Sequence, residues 1–152
     1  MWYRVFGRSD ADVSLAALLR HLHGVGLNVT GQFKGDDLGW FGGELILEGG
    51  GTPAYVERYL ADADEIRSDL NSWAAWLETA DYSPNHRMLM EQVIQTRQLF
   101  TLRRPVDHAD EVALELLCSE TCRFLAEKTQ GVYQLDDAGW FAPDGTMLLR
   151  EY

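Results

Sequence analysis

The stretch FKGDDLGWF at residues 33–41 returns as YQLDDAGWF at 133–141, so that Asp36, Asp37, Gly39, Trp40 and Phe41 recur as Asp136, Asp137, Gly139, Trp140 and Phe141. An offset of 100 residues is too long for a solenoid, whose periods are roughly 20–50 residues. The repeat therefore predicts two related units within one fold. DDxG offers the side-chain acceptors and positive φ that a turn uses, and the adjoining aromatic pair offers core anchors. The motif is expected to mark the same hairpin region twice.

The segments around the two copies follow the same order. Residues 2–8 alternate and are rich in aromatic and β-branched side chains, which suits a strand. Ser9 and Asp12 resemble a capping box, and Leu15, Leu18, Leu19 and Leu22 then repeat at helical spacing until Gly24 and Gly26. Residues 27–35 and 40–48 read as strands joined by DDLG. Residues 1–48 thus form a βαββ unit. Residues 99–104 begin a second one at 99–152, with a helix from near Asp107 that puts Leu114, Leu117, Cys118, Thr121 and Leu125 on one face. Its last hairpin turns either at DDAG or at PDG.

Between the units, residues 53–98 read as a helical insert. Thr52-Pro53 offers an N-cap followed by proline at the first helical position. Asp62 and Glu65 form a capping box ahead of the stripe Ile66, Leu70, Trp73 and Leu77. Ser83-Pro84 starts another helix, with Leu89, Val93, Thr96 and Phe100 on its inner face. The first unit, the insert and the next strand give the order βαββαβ, a ferredoxin-like arrangement. The expected fold is α+β, a single domain over 1–152, with a largely antiparallel sheet and helices on one face. A chain of 152 residues buries about 68–70% of its extended surface, enough to need no staples.

Charge narrows the partners. With 24 acidic and 13 basic residues the net charge is −11, and a nucleic-acid binder needs a Lys/Arg face to neutralise phosphates. The only adjacent basic pair is Arg103–Arg104. Nucleic acid and anionic membrane are poor partners, while a basic protein is steered toward such a surface. No apolar run reaches the roughly 18 residues that span a bilayer, and the start MWYRVFGRSD lacks the pattern of a signal peptide. Cys118 and Cys122 share one helix and do not form a disulfide framework. A reducing cytoplasm is the expected setting.

The candidate chemistry is sparse. Asp36, Asp37, Asp136 and Asp137 are the candidate metal ligands, since four carboxylates brought together suit a hard cation. The same residues are what turns use to bond their own backbone. CSETC at 118–122 lies inside a helix, away from the N-terminus where a redox thiol is activated, so the thiols read as buried hydrophobes. His21 and His23, two apart on a helix, point in different directions, and His86 and His108 sit near helix starts. No serine has a nucleophile-elbow context, and GGGT at 49–52 lacks the endings of phosphate-binding loops. No catalytic residue and no cofactor is assigned.

The ending RFLAEKTQGVYQLDDAGWFAPDGTMLLREY resembles that of a family of small bacterial proteins, in which a helix closing on LAE-x-T precedes GVYQ-x-D, an aromatic, and DG before a final strand. The resemblance covers about a fifth of the chain, a short-motif match, and implies no activity. The expectation is a non-enzymatic, cytoplasmic protein-binding protein of the adaptor, inhibitor or immunity type, acting through its acidic surface or an open sheet edge. The alternative is a metal-dependent enzyme or small-molecule sensor with its site at the paired DDxGWF hairpins. Homodimerisation through a sheet edge is left open.

Overall fold

Period-two alternation organises the centre of the molecule. In WYRVFG at the start of the chain, Tyr3 and Val5 enter one core while Phe6 enters another, because successive strand side chains point to opposite faces. The structure is a computed structural model that describes residues 1–49, 51–106 and 110–152. Its elements in chain order are β1 (Trp2–Gly7), α1 (Leu15–Gly24), β2 (Val29–Asp36), β3 (Gly39–Leu47), β4 (Ala54–Leu60), α2 (Arg67–Thr79), α3 (His86–Ile94), β5 (Gln98–Arg103), α4 (Glu111–Lys128), β6 (Val132–Leu135), β7 (Gly139–Phe141) and β8 (Met147–Arg150). The eight strands form one open sheet in the order β2-β3-β4-β5-β1-β6-β7-β8. Every pairing is antiparallel.

Helices cover both faces, not the single face expected. On the first face, α1 and α4 bury Leu18, Leu22, Leu114, Leu117 and Leu125 against Tyr3, Val5, Leu45, Val56, Phe100 and Leu102. On the second, α2 and α3 bury Leu70, Leu77, Leu89 and Val93 against Phe6, Leu99, Val132, Trp140 and Leu149. Each such fully buried aliphatic side chain contributes about 1.5–3 kcal/mol of transfer free energy. The first core draws on β2 to β6, whereas the second draws on β5, β1, β6, β7 and β8. Among the described residues, the second face of β2 and β3 carries no helix, and on β4 only Tyr59, near its end, packs against this second core.

Several local expectations are corrected. The insert at 53–98 does not begin with a helix: residues 54–60 form β4, with Ala54, Val56 and Arg58 buried on alternate positions. The physical reason is visible in AYVERYL, where period-two alternation and aromatic residues outweigh the Thr-Pro start signal, and a residue before proline is itself biased toward extended backbone. Each half of the chain then runs strand, helix and three strands, one strand more than βαββ. Helix α1 is capped by Ser14, whose Oγ accepts from the Ala17 N–H at 3.2 Å, while Ser9 Oγ accepts from Ala11 in the preceding loop. No side chain caps α2; Asp64 instead accepts from the Leu60 N–H at 2.7 Å. Phe100 belongs to β5 and enters the first core, away from Leu89 and Val93. Helix α4 is capped by Asp110, which accepts from Ala113 at 3.0 Å; the expected start at Asp107, and His108, lie outside the described residues.

Candidate functional site

The two DDxGWF copies do not meet. Because β2 runs parallel in sense to β1 and β6 runs against it, the β2–β3 turn lies at one end of the sheet and the β6–β7 turn at the other. Asp36 accepts from the Leu38 N–H at 2.8 Å, an Asx-type turn. Asp136 instead bonds β1, taking the Arg4 guanidinium at 2.6 Å and the Trp2 N–H at 3.2 Å. Partial burial opposes ionisation of Asp136, but these bonds, with that of Gln134, hold its carboxyl below the usual carboxylate range. Asp37 lies by Asp10 and Asp12 at the β2–β3 end, and Asp137 takes a positive φ in its turn. Among the described residues no group of three or more His, Cys, Asp and Glu side chains is placed to hold a metal ion. Both ambiguous turns are used: β6 joins β7 at 136–138, and β7 joins β8 at 142–146.

The other singled-out side chains are internal. Cys118 and Cys122 are free and fully buried. Burial pushes the Cys118 thiol up to about 12 and that of Cys122 well above its ordinary value, so neither is activated. His21 pairs with Glu120 at 2.9 Å, His23 with the Val29 carbonyl at 2.8 Å and His86 with the Leu77 carbonyl at 3.3 Å.

The helix-free half of the second face is where exposed functional groups collect. Strand register lines them up in two rows crossing five strands. In the first, Trp2 pairs with Arg103, Arg103 with Tyr55, Tyr55 with Glu44 and Glu44 with Gln32. The second begins under α2 at Arg4, whose guanidinium lies 4.9 Å from the Trp73 ring centre, and runs out through Thr101, Glu57, Gly42 and Lys34. The Arg103 guanidinium carbon sits 4.8 Å from the Tyr55 ring centre and 5.9 Å from that of Trp2, within the range of a cation–π contact. A hydrogen bond to Glu44 raises the Tyr55 hydroxyl pKa. The Tyr59 hydroxyl bonds Glu57, a contact that raises it to about 12.

Gly42 interrupts the second row. Its missing side chain opens a recess of about 430 Å³ bordered by Phe41, Glu44, Tyr55 and Glu57. Phe41 is the extra residue of a bulge, since Lys34 faces Gly42 while Gly35 faces Trp40, and bulges re-aim side chains. It is 46% exposed. The repeat marks Phe41 as a core anchor beside Trp40, but the bulge turns it out of the core; Glu44, Tyr55 and Glu57 carry no signal of their own beyond their place in a strand or in the 53–98 insert. The available signal is the alternation in AYVERYL, whose outward positions hold two tyrosines and a glutamate.

The sheet's two edges differ. On β8 the Leu148 carbonyl accepts from Ser83 Oγ at 3.2 Å and Asn85 Nδ2 at 2.8 Å, and the Arg150 carbonyl accepts from Tyr82 Oη at 2.8 Å. No such cover lies over β2 from Gly31 onward among the described residues. The bare face thus runs continuously into an open edge.

Arg58 anchors the β2–β3 turn from β4. It is 6% exposed and donates to Gln98 Oε1 at 2.9 Å and to the Leu38 and Trp40 carbonyls at 3.0 and 3.1 Å. No ion pair forms within 4.0 Å of it among the described residues. Gly39, at φ +103°, leaves room for it: a Cβ there would stand 3.0 Å from Arg58 Nη1 and 3.1 Å from Asp12 Oδ1. The repeated glycine therefore has a packing role in the first copy.

No protein-family model, curated protein or solved structure matches the chain.

Proposed function

We propose that this is a protein-binding protein whose contact surface is the helix-free half of the second sheet face. The observation that carries the reading is the row Trp2–Arg103–Tyr55–Glu44–Gln32. Trp, Tyr and Arg are the residues that dominate binding energy at protein interfaces, and here the Arg103 guanidinium lies over both rings, which favours this arrangement before a partner arrives. Such preorganisation lowers the entropy lost on association. The face mixes Lys34 and Arg103 with Glu44 and Glu57, so it discriminates between partners by charge pattern. Nucleic acid is a poor partner for a chain of net charge −11.

The two buried free thiols support a reducing, cytoplasmic setting. The repeated element order, together with the DDxGWF letters, supports an internal duplication whose copies diverged in where each places its hairpin.

The test is retention of a partner from native cytosol on immobilised protein, at low and moderate salt, beside Tyr55→Ala and Arg103→Glu variants. A stoichiometric partner held by the wild type and released by both variants is the expected result. Retention that ignores both substitutions, or no retained protein at either salt, overturns the reading.

A further inference from the structure

The free edge of β2 has a definite hydrogen-bonding phase. The Glu48 N–H donates to the Asn28 carbonyl at 2.9 Å, and pairs along an antiparallel ladder alternate between bonded and non-bonded. Thr30/Ile46, Gln32/Glu44 and Lys34/Gly42 are in the same phase, so their backbone groups turn inward to β3. Val29, Gly31 and Phe33 turn theirs outward. The Val29 carbonyl is already taken by His23 Nε2 at 2.8 Å, an independent sign that the phase is right. The N–H and C=O groups of Gly31 and Phe33 have no partner among the described residues.

We propose that an extended segment of a partner protein, with apolar residues on one side and basic residues on the other, adds as a ninth strand along β2. This rests on the protein-binding reading and names the chemistry of the partner. Two outward N–H groups and two outward C=O groups at alternate positions match the period of an extended backbone. On the first face the incoming side chains continue the core beside Val29 and Phe33, which pack with α1 and Leu45. The charge around the edge is acidic: Asp36 and Asp37 close one end, Glu48 the other, and Glu44 lies one strand inward, against Lys34 alone on β2. A basic segment complements it. A second copy of this chain, itself at −11, does not.

The probe is an acetylated, amidated heptapeptide alternating lysine and valine, added to isotope-labelled protein while backbone amide exchange is followed. Binding is expected to slow exchange at Gly31 and Phe33 at least ten-fold. A version N-methylated at every second residue, and one with glutamate for lysine, are each expected to bind at least ten-fold more weakly. Phe33→Pro, which removes an outward N–H and no β2–β3 bond, is expected to weaken the peptide relative to Phe33→Ala. Should that variant fail to fold, the N-methylated peptide tests the same bond without altering the protein. Equal binding of the N-methylated peptide, or binding that leaves both amides unprotected, overturns the proposal. Shifts confined to the Trp2 and Tyr55 signals overturn it and leave the face reading standing; edge protection that persists in Tyr55→Ala separates the two the other way. A dimer by light scattering with both amides protected in the free protein makes the occupant a second copy and also overturns it.

Discussion

Trp40 and Trp140 hold the same place in the same motif and lie on opposite faces of one sheet. Their indole nitrogens differ accordingly. Trp40 Nε1 donates to the Val13 carbonyl at 3.0 Å, whereas Trp140 Nε1 is buried with no partner among the described residues, its ring stacked on Phe6 at 5.0 Å and edge-on to Trp73 at 5.7 Å. Replacing either by phenylalanine leaves a smaller ring. Only Trp40→Phe also strands a carbonyl, at a cost of about 1–3 kcal/mol. Urea melts should show Trp40→Phe losing more stability than Trp140→Phe, because the second change removes an unpaired buried donor and so recovers part of the lost packing.

Arg58 is a buried cation satisfied by neutral acceptors. Lysine there keeps the charge but cannot reproduce the planar fork that reaches Gln98 and two carbonyls. Arg58→Lys should cost about 2 kcal/mol, in line with hydrogen bonds to charged groups, read as a shift in the denaturation midpoint at unchanged slope. Gly39→Ala should cost about 1–3 kcal/mol through its positive φ and its approach to Arg58, and the two losses should not add.

Acid stability depends on Asp136. Burial raises its pKa, and the Arg4, Gln134 and Trp2 bonds lower it by more, so the folded value lies beneath the unfolded one of about 3.9. The sign follows: the contribution is fully present above about pH 4 and is lost as pH falls through the folded value. Asp136→Asn should be less stable than wild type at pH 7, with the gap closing as pH falls below about 4. Melting temperatures measured from pH 7 to pH 2 check this.

The thiols of Cys118 and Cys122 are protonated and enclosed at neutral pH. A chromogenic disulfide reagent at pH 8 should find neither in the native protein and both after denaturation. Rapid native reaction of either thiol would contradict the burial of α4 against the sheet.

Helical stripes are well written in this chain. Leu18 and Leu22, Leu70 and Leu77, and Leu114 and Leu125 repeat at intervals that only a helix brings to one face, and their helices form where the spacing predicts. Strand β4 is harder, because Thr52-Pro53 satisfies a helix-start rule while the seven residues after it obey a strand period. The DDxGWF repeat is legible as turns but silent on placement, since a motif of five letters says nothing about which neighbour its hairpin pairs with. The candidate surface is the least legible part. Trp2 and Arg103 are adjacent only through the β1–β5 register, and long-range pairing is set by the sum of core contacts that no local window contains.

A sheet sealed along β8 and open along β2 has a direction in which it can grow and one in which it cannot. Filaments built edge to edge need a free donor side and a free acceptor side on every subunit. With Tyr82, Ser83 and Asn85 occupying the Leu148 and Arg150 carbonyls, a sheet of this protein joined at β2 offers no matching edge at β8, and stacking of copies edge to edge stops there.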